Sequence, residues 1–159
     1  MCRVERLRYG HPAPSASSAN GGDTVVKVDA VPAIRISLPQ TAASPAEARH
    51  LLSRFAFEND LRNQSGPALL VLSELVTNAV LHGAEPIEVC VSRDGDLLRI
   101  EVSDGGPRTD GVRPRSQDDR RPGGRGLHIV NSLAQRWGTT DNDAGKTVWA
   151  EIGLDNGRA

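Results

Sequence analysis

Residues Ala68–His82 read ALLVLSELVTNAVLH, and the fold turns on how this stretch is read. Apolar residues occupy nearly every side of a helical projection, which predicts a buried helix. Ser65 to Pro67 carry start signals and Gly83 stops the pattern. Three polar residues interrupt the apolar run at helical spacing: Glu74, Asn78 and His82 stand at i, i+4 and i+8 along one stripe. A carboxylate on a buried helix is costly unless it is paired or faces a wet cavity. Two readings stay open. The stripe is either the exposed side of an otherwise covered helix, or the lining of a ligand pocket. In a pocket, Asn78 offers a neutral oxygen to Mg²⁺, which prefers oxygen ligands and keeps several waters. Glu74, one turn away, is placed to take a proton from an attacking hydroxyl. His82, near the helix end, reads more simply as a partner of the C-terminal dipole.

Outward from this helix the pattern changes period. Ile87, Val89 and Val91 alternate with polar residues, Asp94-Gly95 signals a hairpin, and Leu98, Ile100 and Val102 alternate again. Upstream, a strand is expected over Val31 to Leu38. Ser44-Pro45 then opens a helix, with Ser44 as N-cap and Ala48, Leu51, Leu52, Phe55 and Ala56 as its apolar face. Downstream, residues 106–125 hold a single aliphatic, Val112, among six Arg, three Asp, three Pro and four Gly. A loop of that length in a compact domain is a functional lid or a solvated segment. A third helix is expected from Gly126 to Arg136, a short strand near Trp137 to Thr140, and a final strand from Thr147 to Ile152. Residues 1–28, rich in Ala, Ser, Pro and Gly, read as a disordered leader. Positions 29–155 read as one domain and 156–159 as a tail.

Composition removes several classes. The chain has 159 residues and a net charge of −1, with no global basic footprint for nucleic acid. No apolar run approaches the roughly 18 residues of a membrane span, and no apolar run follows Arg3, Arg6 and Arg8 as a secretory signal requires. Cys2 and Cys90 form neither a disulfide framework nor a zinc cluster, and a reducing cytoplasm fits best. Of the 19 basic residues only Lys27 and Lys146 are lysine, a ratio that reads as coding bias.

Two further motifs carry chemistry. Asp104-Gly105-Gly106 ends the inward series Leu98, Ile100, Val102 with a carboxylate, a residue type rarely buried. At a pocket floor such an aspartate accepts hydrogen bonds from an exocyclic amine. Taken alone, Asp-Gly reads as a turn. Gly123-Gly124-Arg125-Gly126 places glycine-rich backbone at a helix N-terminus, which suits an anion. It fits neither common nucleotide fingerprint: Ile129 stands where a Rossmann motif needs glycine. Gly145-Lys146-Thr147 lacks the earlier glycine of a P-loop, because that position is Thr140.

Together, in this order, the three elements resemble the ATP-binding domain of the GHKL superfamily, which includes gyrase, Hsp90, MutL and the histidine kinases. Glu74-Leu-Val-Thr-Asn78-Ala-Val-Leu-His82-Gly83 looks like its N-box. Asp104-Gly105-Gly106 looks like the first glycine box, and Gly124-Arg125-Gly126-Leu127 with His128-Ile-Val like the second. The small size, and Arg136-Trp137-Gly138 followed by Gly145-Lys146-Thr147-Val148-Trp149, resemble actinobacterial anti-sigma-factor serine/threonine kinases. The resemblance implies an α/β fold, an α+β two-layer sandwich of Bergerat type. Its mixed, mainly antiparallel sheet would be covered by about three helices. It implies ATP and Mg²⁺ as cofactors, with Asn78 on the metal, Asp104 on adenine, and Gly106, Gly124, Arg125, Gly126, Leu127 and Thr147 completing the nucleotide set beneath a lid at 106–125. Glu74 matches the general base of the serine kinases and ATPases, where histidine kinases usually carry Asn. Arg108 replaces the second glycine of the first box after Pro107, which stiffens the hinge. The implied function is serine/threonine phosphorylation of an anti-anti-sigma (STAS-like) antagonist together with sequestration of a sigma factor. Relatives of this type are often dimers, which admits a homodimer. The competing readings are a non-catalytic nucleotide-responsive binding module and a nucleotide-independent one.

Overall fold

Strand β1 (Ala33–Leu38) leads into helices α1 (Ser44–Glu58) and α2 (Gly66–His82). A hairpin of β2 (Ile87–Asp94) and β3 (Leu97–Asp104) follows, then helix α3 (Gly126–Leu133) and a second hairpin of β4 (Arg136–Asn142) and β5 (Gly145–Gly153). The computed structural model describes residues 32–61, 65–107 and 126–154. The expected leader at 1–28, positions 108–125 of the expected lid and the tail at 156–159 lie outside the described residues.

The strands form one open sheet in the order β1-β2-β3-β5-β4. Where the sequence suggested a mixed sheet, all four pairings are antiparallel. The reason is topological. The connection through α3 makes β3 and β4 run the same way, and β5 returns between them, so the two parallel strands never pair. On one face, period-2 alternation puts Leu98, Ile100 and Val102 of β3 beside Val148, Ala150 and Ile152 of β5 and Val89 and Val91 of β2. Against that face α1 presents Ala48, Leu51, Leu52, Phe55 and Ala56, and α2 presents Ala68, Val71, Leu72, Leu75, Val76 and Ala79. Each fully buried aliphatic contributes about 1.5–3 kcal/mol, which fixes how the helices lie on the sheet.

Three local expectations change. Ser44 is not the N-cap of α1. The helix begins one residue earlier in register, Ala43 occupies the cap position without a side-chain bond, and the buried Ser44 hydroxyl donates to the Pro39 carbonyl. Helix α2 is not buried all round: the sheet covers one side only, and Leu70 and Leu81 are exposed on the side that also carries Glu74. The helix after the glycine-rich run ends at Leu133, and the strand expected near Trp137 starts at Arg136 and runs to Asn142.

Candidate functional site

Helix α2 holds Glu74 and Asn78 one turn apart, both half-buried, on the border between its core side and its exposed side. The surface-stripe and pocket readings of this helix meet there. His82, in the last turn, is exposed. The first residue of α3 packs directly on the pair: a Cβ on Gly126 would stand 2.6 Å from Glu74 Oε2 and 3.5 Å from Asn78 Nδ2. Glycine is what lets the positive end of α3 approach a carboxylate so closely. Leu127, the next residue, is half-buried. Gly124 and Arg125 lie outside the described residues.

The C-terminal end of α2 meets the end of β3. Asp104 is 4% exposed, and its Oδ1 accepts from the Gly106 amide and from Lys146 Nζ, each at 2.8 Å. The Asp-Gly-Gly sequence is therefore a buried carboxylate that accepts a hydrogen bond from the Gly106 backbone N–H, more than a solvent turn. Glycines crowd this point. A Cβ on Gly83 would stand 2.6 Å from Asp104 Cγ, and one on Gly106 would stand 2.6 Å from Asp104 Oδ1. Gly83 ends α2 in an extended conformation with φ of −95°. Glycine is demanded there by the approach of Asp104, not by a left-handed cap.

Along the α2 axis, Asn78 lies about 7 Å and Glu74 about 13 Å from Gly83, at 1.5 Å per residue. The helix thus joins a carboxylate–glycine floor to a carboxylate–amide pair at the mouth of α3. Its end is anchored from outside. The Gln40 side-chain amide donates to the carbonyls of Val80 and Gly83 at 2.9 and 3.0 Å, and the Gln40 backbone amide donates to Glu85 Oε1 at 2.9 Å. This satisfies terminal carbonyls that the helix itself leaves open.

Thr147 is not brought to this floor. It stands opposite Ser103, its hydroxyl 2.7 Å from Ser103 Oγ and 3.1 Å from Asn142 Nδ2, on the sheet face away from the helices. The pocket-side position belongs to its neighbour Lys146, in register with Asp104. Lys146 and Gln40 were missed by the sequence reading. For Lys146 two signals were present: it is one of two lysines in a chain with 19 basic residues, and the inward parity of Val148 and Ala150 extends back to it.

Among the described residues, no group of three or more His, Cys, Asp or Glu gathers as a metal centre. Mg²⁺ held largely by phosphates and water needs few protein oxygens. The amide of Asn78 beside Glu74, with the space at Gly126 that a Cβ would fill, fits that demand. No helix among the described residues is long and apolar enough to cross a membrane.

A long helix and a central strand that converge on a buried aspartate, flanked by glycine at each close approach, belong to the class of ATP-binding α+β sandwiches. The family comparison agrees: the family model of the histidine kinase-like ATPase domain matches residues 38–152. The chain belongs to that family. Among solved structures it is similar to the histidine kinase domain from the Erythrobacter litoralis EL346 blue-light activated histidine kinase. That match has 22% identity over 67% of this chain and 61% of that one, with a TM-score of 0.43. The chain thus spans under two thirds of that domain's length. It is also similar to the catalytic domain of the histidine kinase ThkA, with 16% identity over 77% of this chain and 96% of that one and a TM-score of 0.48. No curated protein sequence matches.

Proposed function

We propose that this domain binds Mg·ATP and transfers its γ-phosphoryl group to a serine or threonine of a small STAS-like antagonist protein, while sequestering a sigma factor. The observation that carries the reading is the Glu74–Asn78 pair packed against the first residue of α3. A carboxylate stands where histidine kinases of this superfamily usually carry asparagine. In this scheme the Asp104 carboxylate accepts from the adenine amine, and the α3 N-terminus with Gly124 and Gly126 faces the phosphates. Asn78 would hold a magnesium ion, which would supply positive charge to offset that of the phosphates. Glu74 accepts the proton of the substrate hydroxyl as its oxygen bonds to the γ-phosphorus. The bond from that phosphorus to the β–γ bridging oxygen breaks, and ADP leaves with the electron pair. A positioned base contributes about 10² to 10⁴ in rate.

The test is phosphotransfer from labelled ATP to candidate antagonists. Glu74→Ala is expected to bind Mg·ATP like wild type and to lose transfer by about 10²-fold or more. Transfer at the wild-type rate would make Glu74 a structural residue and end this mechanism. A second reading, a non-catalytic module that uses nucleotide only for shape, draws on Pro107. It follows Gly106 directly, and a fixed φ at that hinge opposes lid closure. This reading takes the lead if wild type transfers nothing to any partner while Glu74→Ala still holds its sigma factor.

A further inference from the structure

The pairing of β3 with β5 builds inward-facing rungs: Leu98 with Ile152, Ile100 with Ala150, Val102 with Val148. The next rung is Asp104 with Lys146. Both are buried, and their charged groups meet at 2.8 Å. A buried ion pair repays its desolvation poorly compared with the aliphatic rung that the pattern would otherwise continue, so stability alone does not account for it. The pair also has capacity to spare. Oδ1 takes both the Gly106 amide and Lys146 Nζ, whereas among the described residues no hydrogen bond reaches Asp104 Oδ2. Lys146 uses one of three N–H donors on Asp104 and makes no other hydrogen bond among the described residues. Among the described residues, an acceptor and donors without a partner thus lie side by side in a buried place, where unmet polar groups are costly. The wall next to them is glycine. A Cβ on Gly106 would stand 3.0 Å from Lys146 Nζ and 2.9 Å from Gly83 Cα.

We infer that Lys146 is a second base-reading residue. Asp104 Oδ2 accepts from the exocyclic amine of a 6-aminopurine, and Lys146 Nζ donates to a ring nitrogen that flanks this amine. The inference rests on the nucleotide reading above and deepens it. A carboxylate by itself only accepts, so it reads the amine alone. The ammonium beside it adds a donor. Acceptor next to donor matches an edge on which an N–H₂ group sits beside a nitrogen lone pair. A site built to pair such an edge penalises a ligand that lacks one of its atoms. Lys146 is then a specificity determinant as well as the partner of Asp104.

The experiment is calorimetric titration of the full chain with Mg·ATP, Mg·1-deaza-ATP and Mg·7-deaza-ATP, in which one ring nitrogen is replaced by C–H. One analogue is expected to bind wild type about tenfold or more weakly than ATP. That gap closes in Lys146→Met and persists in part in Lys146→Arg, which keeps a donor. If Lys146→Met does not fold, the gap is read instead by comparing Asp104→Asn, which keeps Lys146 and should keep the gap, with Asp104→Asn/Lys146→Met, which buries no charge. There too it should close. If both analogues bind wild type as ATP does, or if removal of Lys146 weakens all three nucleotides by one common factor, Lys146 is merely structural and the inference fails. If wild type binds no nucleotide at all, the nucleotide reading itself falls, and the inference with it.

Discussion

Asp104 and Glu151 are both buried carboxylates of the central strands, and they are partnered in opposite ways. Glu151 belongs to the sheet face away from the helices and is 9% exposed. Both of its oxygens are used: Oε1 accepts from Arg99 at 2.8 Å, and Oε2 accepts from Arg136 Nε and Nη2 at 2.9 and 2.7 Å. Arg99 in turn reaches Glu101 at 3.2 Å and lies 4.5 Å over the Trp149 ring. Asp104, 4% exposed on the helix side, has one oxygen that accepts two hydrogen bonds and one that accepts none among the described residues. A saturated network holds a surface together. An unsaturated one, kept open by glycines, has work left for a ligand. Changes on the Asp104 side should therefore alter nucleotide binding, and changes on the Glu151 side should alter stability alone.

The largest effect separating the two faces is expected from Lys146→Met. It leaves Asp104 buried without its cation, a loss of about 3–5 kcal/mol, to be read from urea unfolding. Asp104→Asn/Lys146→Met should recover most of that loss, because no unpaired charge remains. A single variant as stable as wild type would mean that water reaches Asp104, and the contrast with Glu151 would collapse. Next in size, Asn78→Ala should weaken Mg·ATP binding by about tenfold to a hundredfold, the range for losing a contact to a charged group. Its unfolding midpoint should stay put, since Asn78 is only half-buried. Unchanged affinity by calorimetry would remove Asn78 from the metal site.

Much of this asymmetry was legible in the sequence. The i, i+4 spacing put Glu74 and Asn78 on one side of α2, and alternation carried the inward series of β3 as far as Asp104. Parity also contained Lys146. With Val148 and Ala150 inward and Trp149 and Glu151 outward, a strand extended back by two residues places Lys146 inward and Thr147 outward. Starting the strand at Thr147 cut off that rung, and the family motif then drew Thr147 into the nucleotide set. Strand ends are hard to read because the apolar signal stops where the polar site begins. Gly83 and Gly126 show a second limit. Their reason is the close approach of Asp104 and Glu74, contacts between elements that local sequence does not encode. Gln40 is a third case, because its partners lie forty or more positions downstream along the chain.

A smaller effect tests whether the outer face is closed to solvent. Cys90, on β2, has a thiol held above its ordinary value of 9.0, first by burial and then by the nearby Glu101 carboxylate. The folded state therefore keeps the proton that the unfolded chain gives up. This group's contribution to stability is fully present at neutral pH and is lost as pH climbs from about 9 through the raised folded value. In a Cys2→Ser background, unfolding free energy should fall more steeply above pH 9 with Cys90 than with Cys90→Ala. The cavity left by alanine shifts both ends of the pH range equally, so only the slope is diagnostic. Equal slopes would show the thiol to be open to water.

The smallest effect is expected from Arg136→Ala, and it is the sharpest check on saturation. The side chains of Arg136 and its partner Glu151 are 54% and 11% exposed. The pair is therefore screened on the arginine side, in the range of about 0–1 kcal/mol found for exposed ion pairs. Glu151 does not become an unpaired charge in this variant, because Arg99 stays on Oε1 at 2.8 Å. Redundancy is what distinguishes it from Asp104, whose only cation among the described residues is Lys146. Arg136→Ala should thus lower unfolding free energy by less than about 1 kcal/mol and leave Mg·ATP affinity unchanged. A loss as large as that of Lys146→Met would mean that Arg99 cannot hold Glu151 alone, so the outer network is no better satisfied than the inner pair. A change in nucleotide affinity would couple the two faces through β5, on which Lys146 and Glu151 both stand.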